Sequence, residues 1–228
     1  RADVDRLTVE VYREAWRARP EVRRIRMLGQ DAVVKDYGRS SNVFKHALGT
    51  FLAMREAAAL RRAEGLANIP KVLALARPWI LVMEYIDARQ VTSLDDAERV
   101  EVLTPAFFER LTGLIAQFHG CGLAHGDLEK LDNILVTSDG LPAIVDFAAA
   151  IISGMNPLSA LALPHIEHND RRAVYKLKSK YAPDQLTEEE DVKLHERSRA
   201  EVLFRRARKY IRGPVKRLSA QEDEKGTT

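Results

Sequence analysis

The chain has 228 residues, 46% of them hydrophobic and 30% charged, with a formal net charge of +3. That ordinary globular mix suits one medium domain or two small lobes with a real core. The lone Cys121 excludes an intramolecular disulfide and points to a reducing compartment; no apolar run approaches the ~20 residues of a membrane span.

There is no signal-peptide pattern, and the first residue is Arg, as in a chain that is trimmed or begins inside a longer one. Residues 7–18, LTVEVYREAWRA, read as a helix or a helix–strand mixture, with the helix preferred. The runs VRRIRML and AVVKDY flank the short turn Gly29–Gln30–Asp31 and predict an antiparallel hairpin. Residues 51–65, FLAMREAAALRRAEG, join strong helix formers to an Ala/Leu stripe, with Gly65 as the stop. KVLALA and WILVMEYI follow as strands around Arg77–Pro78, so the first half reads β-β-α-β-β.

Residues 104–122, TPAFFERLTGLIAQFHGCG, place Pro105 at a helix start and carry apolar residues at helical spacing. Two short strands, NILV and PAIVDF, are joined by TSDGL, and from about residue 167 the pattern is helical. Charge is uneven: residues 186–191 are acidic, and 197–217, RSRAEVLFRRARKYIRGPVKR, are strongly basic. Such a basic helix can meet phosphates or an anionic membrane face, although a solvated face is its commoner use. The expected architecture is α+β and bilobal. An N-lobe over 1–86 holds a small antiparallel sheet and one helix, a helical C-lobe spans 87–218, and 219–228 form a polar, disordered tail. A cleft is expected where the lobes meet, near residues 86–90.

Residues 123–136, LAHGDLEKLDNILV, concentrate hydrogen-bonding groups ahead of an apolar run. A hairpin here brings Asn133, before one strand, near Asp146, which ends the next. Two oxygen-bearing side chains so placed suit a hard cation, and Asp127 on the same loop can orient or deprotonate a hydroxyl. Singly, Asp and Asn are ordinary turn residues. Together they make the outline of a phosphoryl-transfer site.

LAHGDLEKLDNILV followed by PAIVDF resembles the catalytic and metal-binding loops of the protein-kinase-like fold. The resemblance covers roughly residues 22–150. It implies Asp127 as catalytic base, Asn133 and Asp146 as magnesium ligands, Lys35 on the α- and β-phosphates and Glu56 as its ion-pair partner. It also implies a hinge in which the backbone of Glu84 and Ile86 meets adenine and Met83 walls the pocket. His119 and His125 take scaffold roles. ATP and Mg2+ are the implied cofactors. HGD, with Gly126 where most kinases have Arg, is similar to RIO-type, lipopolysaccharide and aminoglycoside or choline kinases. The pattern Asp-Leu-x-Lys-x-x-Asn is closest to small bacterial lipopolysaccharide and RIO-like kinases, with Lys130 at the transferred phosphate.

Several features depart from the template. No Gly-rich phosphate loop is visible, the first hairpin having only Gly29; Asp-Phe-Gly is Asp146-Phe147-Ala148; no Ala-Pro-Glu closes an activation segment. The large lobe is therefore expected to be truncated. Asp132 competes with Asn133 as metal ligand; Asn133 is preferred because the strand starts directly after it.

The expected function is an ATP- and Mg-dependent phosphotransferase acting on a hydroxyl of a lipid-linked sugar or a protein. The expected location is cytoplasmic, with peripheral contact at an anionic inner membrane face, and nucleic acid is not an expected partner. The alternatives are a pseudokinase-type binding module, suggested by the missing glycines, and a small-molecule phosphotransferase, suggested by HGD. HIEH at 165–168 lacks the further ligands a zinc site needs. Trp16 and Trp79 read as packing residues rather than a stacking platform.

Overall fold

The computed structural model describes residues 2–15, 19–38, 43–155 and 157–195. The chain divides into two compact units, residues 1–186 and 187–228.

Helix α1 (Ala2–Leu7) runs directly into strand β1 (Thr8–Arg13). Leu7 therefore closes a helix and residues 8–13 are strand, so the mixed reading describes this segment better than the preferred helix. Thr8, Val9 and Val11 favour extended backbone, but β1 is an edge strand with little buried surface, so no alternation of apolar and polar residues announces it. Strands β2 (Glu21–Met27) and β3 (Gln30–Asp36) pair as the expected hairpin. Its turn is Leu28–Gly29, one residue earlier than read from sequence, and both residues have positive φ, as a two-residue hairpin loop requires. Helix α2 (Val43–Arg62) starts well before residue 51. Strands β4 (Val72–Arg77) and β5 (Ile80–Glu84) complete a five-stranded antiparallel sheet of order β1-β2-β3-β5-β4.

Period-two alternation decides what each face of this sheet meets. Ala32, Val34, Ile80 and Val82 pack with Ile25 against Val4 and Leu7 of α1. Leu81 and Met83 face the other way and share a core with Ala57 and Leu60 of α2. Lys35, one residue past Val34, therefore points to the α2 side.

Beyond the sheet come β6 (Ala88–Gln90), α3 (Asp96–Val102), α4 (Pro105–Gly120), β7 (Leu123–Ala124), β8 (Ile134–Thr137), β9 (Pro142–Ile144), β10 (Ile151–Ile152) and α5 (Pro157–Tyr181). A capping box between Asp95 and Glu98 starts α3. Thr104 caps α4, its Oγ1 accepting from Phe107 N at 3.3 Å, with Pro105 in the first turn. The apolar stripe of α4 buries Phe107, Phe108, Leu111, Leu114, Ile115 and Phe118. Strands β6, β8 and β9 form a small antiparallel sheet, and β7 pairs with β10.

Helix α5 begins at Pro157, not near residue 167, and continues through Pro164. A proline inside a helix forfeits a backbone hydrogen bond and costs about 3 kcal/mol. Burial of Ala173, Val174 and Leu177 in the main core offsets that loss. In the second unit, Thr187 and Glu190 form a reciprocal cap for helix α6 (Glu188–His195). The basic stretch 197–217 and the tail 219–228 lie outside the described residues. Among the described residues, no helix is long and apolar enough to cross a membrane.

Candidate active site

Lys35 is 5% exposed and cannot remain charged there without partners. Its Nζ donates to Glu56 Oε1 at 2.5 Å and to Asp146 Oδ1 at 2.7 Å. Tyr37 Oη donates to the second Glu56 oxygen, Oε2, at 2.9 Å. Burial opposes the charge on Lys35, but Asp146 and Glu56 outweigh it and hold the pKa above the usual 10.5. The Lys35 ammonium, against the effect of burial, holds Asp146 well below the usual carboxylate range, with a smaller contribution from Arg13. Burial, then Glu56 and Asp146, push the Tyr37 hydroxyl far up, so it remains a donor.

The loop between β7 and β8 is fixed chiefly through its backbone. Asp170 of α5, 1% exposed, accepts from His125 N at 2.7 Å and from Gly126 N at 3.0 Å, and meets His119 Nε2 at 3.1 Å. His125 Nδ1 accepts from Asp127 N at 3.2 Å, which leaves Nε2 to donate to Val145 O at 2.9 Å. These partners assign a neutral ring protonated on Nε2. Gly126 has φ +76°, and a Cβ there would lie 3.0 Å from Ala149 O. Glycine is required on both counts.

Asp127 Oδ2 pairs with Lys130 Nζ, and Asp127 O accepts from Asn133 Nδ2 at 3.0 Å. Asn133 is 8% exposed, and Val145 N donates to its backbone oxygen at 3.1 Å, which brings it beside Asp146. Asp146 itself is left-handed, at φ 68° and ψ 60°. Asp132 takes the Thr92 hydroxyl at 2.7 Å. Among the described residues, Asn133 Oδ1 and Asp146 Oδ2 have no protein partner. One amide and one carboxylate oxygen, each otherwise anchored, fit a hard cation such as Mg2+.

Phe147 is fully buried, its ring centroid 4.6 Å from His125 and 6.0 Å from Phe118. Arg55 of α2 donates to Ala150 O at 2.8 Å and Ala149 O at 2.9 Å, tying the segment after Asp146 to the helix that carries Glu56. On the hinge, Met83 is 3% exposed, Glu84 N donates to Lys71 O at 2.9 Å, and Ile86 is half-buried.

The structure corrects the expected phosphate-side turn. Arg13 of β1 lies opposite Val22, and Val22 opposite Lys35, so the connection beside Lys35 is residues 14–20. The Leu28–Gly29 turn lies at the far end of that hairpin. The sequence of the 14–20 connection, EAWRARP, contains no glycine. Sequence reasoning missed Tyr37, Arg55 and Asp170. None has a local signature, because each acts through a partner distant in sequence. His165 and His168 are not drawn into a metal cluster: no group of three or more His, Cys, Asp or Glu gathers among the described residues.

Among curated proteins, the chain is 30% identical over 89 residues to a probable serine/threonine-protein kinase, RTK1, of Saccharomyces cerevisiae, covering 39% of this chain and 14% of that protein. It is 34% identical over 107 residues to cyclin-dependent kinase-like 2 of Homo sapiens, covering 43% of this chain and 21% of that protein. The chain thus matches only a small part of these relatives. The solved Rio2 kinase from Chaetomium thermophilum superimposes with a TM-score of 0.52 at 17% identity, covering 91% of this chain and 75% of that one. Its ADP/Mg2+-phosphoaspartate complex gives a TM-score of 0.51 at 18% identity, covering 92% and 74%. At that identity the likeness shows the shared kinase-like fold. The RIO domain matches residues 9–164, more than half of the chain, and by that match the chain belongs to the RIO domain family.

Proposed function

We propose that this chain is a RIO-type, ATP- and Mg2+-dependent phosphotransferase that passes a γ-phosphate to a hydroxyl. The carrying observation is Lys35 held between Glu56 and Asp146, which places a cation for phosphates against a carboxylate with an oxygen to spare. In this reading the backbone of Glu84 and Ile86 meets adenine, Met83 walls the pocket, and Lys35 orients the α- and β-phosphates. Asn133 and Asp146 hold the Mg2+, which when bound neutralises charge on the phosphate oxygens. The acceptor oxygen forms its bond to the γ-phosphorus as the bond to the bridging oxygen breaks. ADP leaves, and the acceptor proton passes to Asp127. Lys130, paired with the Asp127 carboxylate, steadies the transferred group in this reading.

The acceptor is a hydroxyl of a lipid-linked sugar or of a protein. The short link from Phe147 to α5 favours the sugar, because it has little room for the activation segment on which peptides dock. The yeast relative, a probable serine/threonine-protein kinase, favours a protein serine or threonine. The basic stretch 197–217 supports peripheral contact with anionic membrane; vesicle cosedimentation over a salt series tests it, and equal binding to neutral vesicles rejects it. A second reading, a pseudokinase-type binding or scaffold module, is favoured by the glycine-free connection 14–20. Incubation with γ-labelled ATP and Mg2+, using protein and lipid-linked sugar acceptors in parallel, decides between them. Label on either acceptor that disappears with Asp127→Ala supports the kinase. Label on none supports the scaffold.

A further inference from the structure

The sequence of 14–20 lacks the glycines that give phosphate-cradling loops their close backbone approach. The strand that enters this connection ends on Arg13. Arg13, Val22 and Lys35 stand in one row across β1, β2 and β3, and residues paired in this way project from the same face of a sheet. At about 4.8 Å per strand step, Arg13 and Lys35 are roughly 10 Å apart at their backbones. Both side chains are long enough to converge on one polyanion.

Arg13 Nε donates to Pro20 O at 3.2 Å, which closes the connection and fixes the base of the guanidinium. Among the described residues, nothing pairs with its terminal nitrogens. A guanidinium has five N–H donors, so four remain to be used. A half-buried arginine beside the Lys35 cluster, with a planar fork of unused donors, matches the geometry of a phosphate group.

We infer that Arg13 grips the terminal phosphates of the bound nucleotide, its guanidinium replacing the backbone donors that a glycine-rich loop supplies elsewhere. This rests on the phosphotransferase reading and deepens it: recognition of the triphosphate is charge-based and comes from the end of β1. Arg13 then discriminates by phosphate count and contributes nothing to adenine binding.

The test is calorimetric titration of wild type, Arg13→Ala and Arg13→Lys with ATP and with adenosine, in Mg2+. Loss of charge-assisted hydrogen bonds of this kind costs about 10- to 100-fold in affinity. Arg13→Ala should lose that factor for ATP and keep its adenosine affinity, and Arg13→Lys should recover part of the loss. In turnover, KM for ATP should rise more than kcat falls. An equal loss for ATP and adenosine would assign Arg13 only the structural bond to Pro20 and overturn the inference, as would unchanged ATP affinity. A wild type that binds adenosine and ATP equally would overturn it too, whereas a wild type that binds neither removes the phosphotransferase reading itself.

Discussion

The two halves of the candidate site hold their polar groups by different means. On the sheet side, Lys35, Glu56 and Tyr37 are buried side chains that satisfy one another. Across from them, the loop carrying Asp127 hangs by its main chain from Asp170 and Val145 N, with the His125 ring on Val145 O, and the Lys130 side chain is 59% exposed. Charge compensation organises one side and a single buried anchor organises the other. Substitutions on the sheet side should therefore disturb the groups that they touch. On the loop side, the most damaging change should be at an anchor outside the motif string at 123–136, in α5.

The sharpest way to break this contrast is Asp170→Ala. It strips two backbone N–H groups and His119 of one buried acceptor, at roughly 1–3 kcal/mol for each group left unsatisfied. Chemical denaturation should show a loss of about 4 kcal/mol, and transfer should vanish. A loss under about 1 kcal/mol would mean that the loop is held by something else.

Next in size is Glu56→Ala, which leaves Lys35 buried with Asp146 alone and Tyr37 Oη without its acceptor. Because one carboxylate remains, the expected cost is about 2–3 kcal/mol, below that of a buried charge wholly abandoned. Glu56→Gln should recover part of it. Denaturation of the two variants side by side measures the difference.

Gly126→Ala comes third. Positive φ and the approach of Ala149 O both oppose a Cβ, for about 1–2 kcal/mol. The effect should appear as a fall in kcat with unchanged nucleotide affinity, since the strain lies on the loop and not in the Lys35 cluster.

The smallest effect lies away from the candidate site. Arg26 and then Arg24 hold the Asp31 carboxylate at about 2, below its usual 3.8. A lowered carboxylate pKa contributes stability that is complete above the unfolded value and is lost as pH falls through the folded one. The small stability advantage of wild type over Asp31→Asn should be constant at neutral pH and shrink from about pH 4 towards pH 2. An advantage that persists at pH 2 would assign it to packing.

The difference between the two sides also explains what the sequence made legible. Asp127, Asn133 and Asp146 fall on one loop and one hairpin, so their spacing alone brings them together. Lys35 and Glu56 were readable because a strand and the next helix bear them. Asp170 was not readable: its role depends on how α5 packs beside the loop, 45 residues from His125. The exposed edge strand β1 lacked a buried face and resembled a helix, and missing it moved the expected phosphate turn from residues 14–20 to Gly29. The start of α5 was missed because Pro164 reads as a break, and only tertiary burial shows that it is tolerated.

The most direct test of the account is Mg-ATP affinity, measured by titration calorimetry, for wild type, Asp146→Ala and Asp127→Ala. The two carboxylates lie on opposite sides of the contrast, one bonded to the Lys35 cluster and one on the backbone-anchored loop. Asp146→Ala should abolish Mg-dependent binding, while Asp127→Ala should bind Mg-ATP as wild type does and transfer nothing. Equal Mg-ATP affinity in wild type and Asp146→Ala would contradict the account.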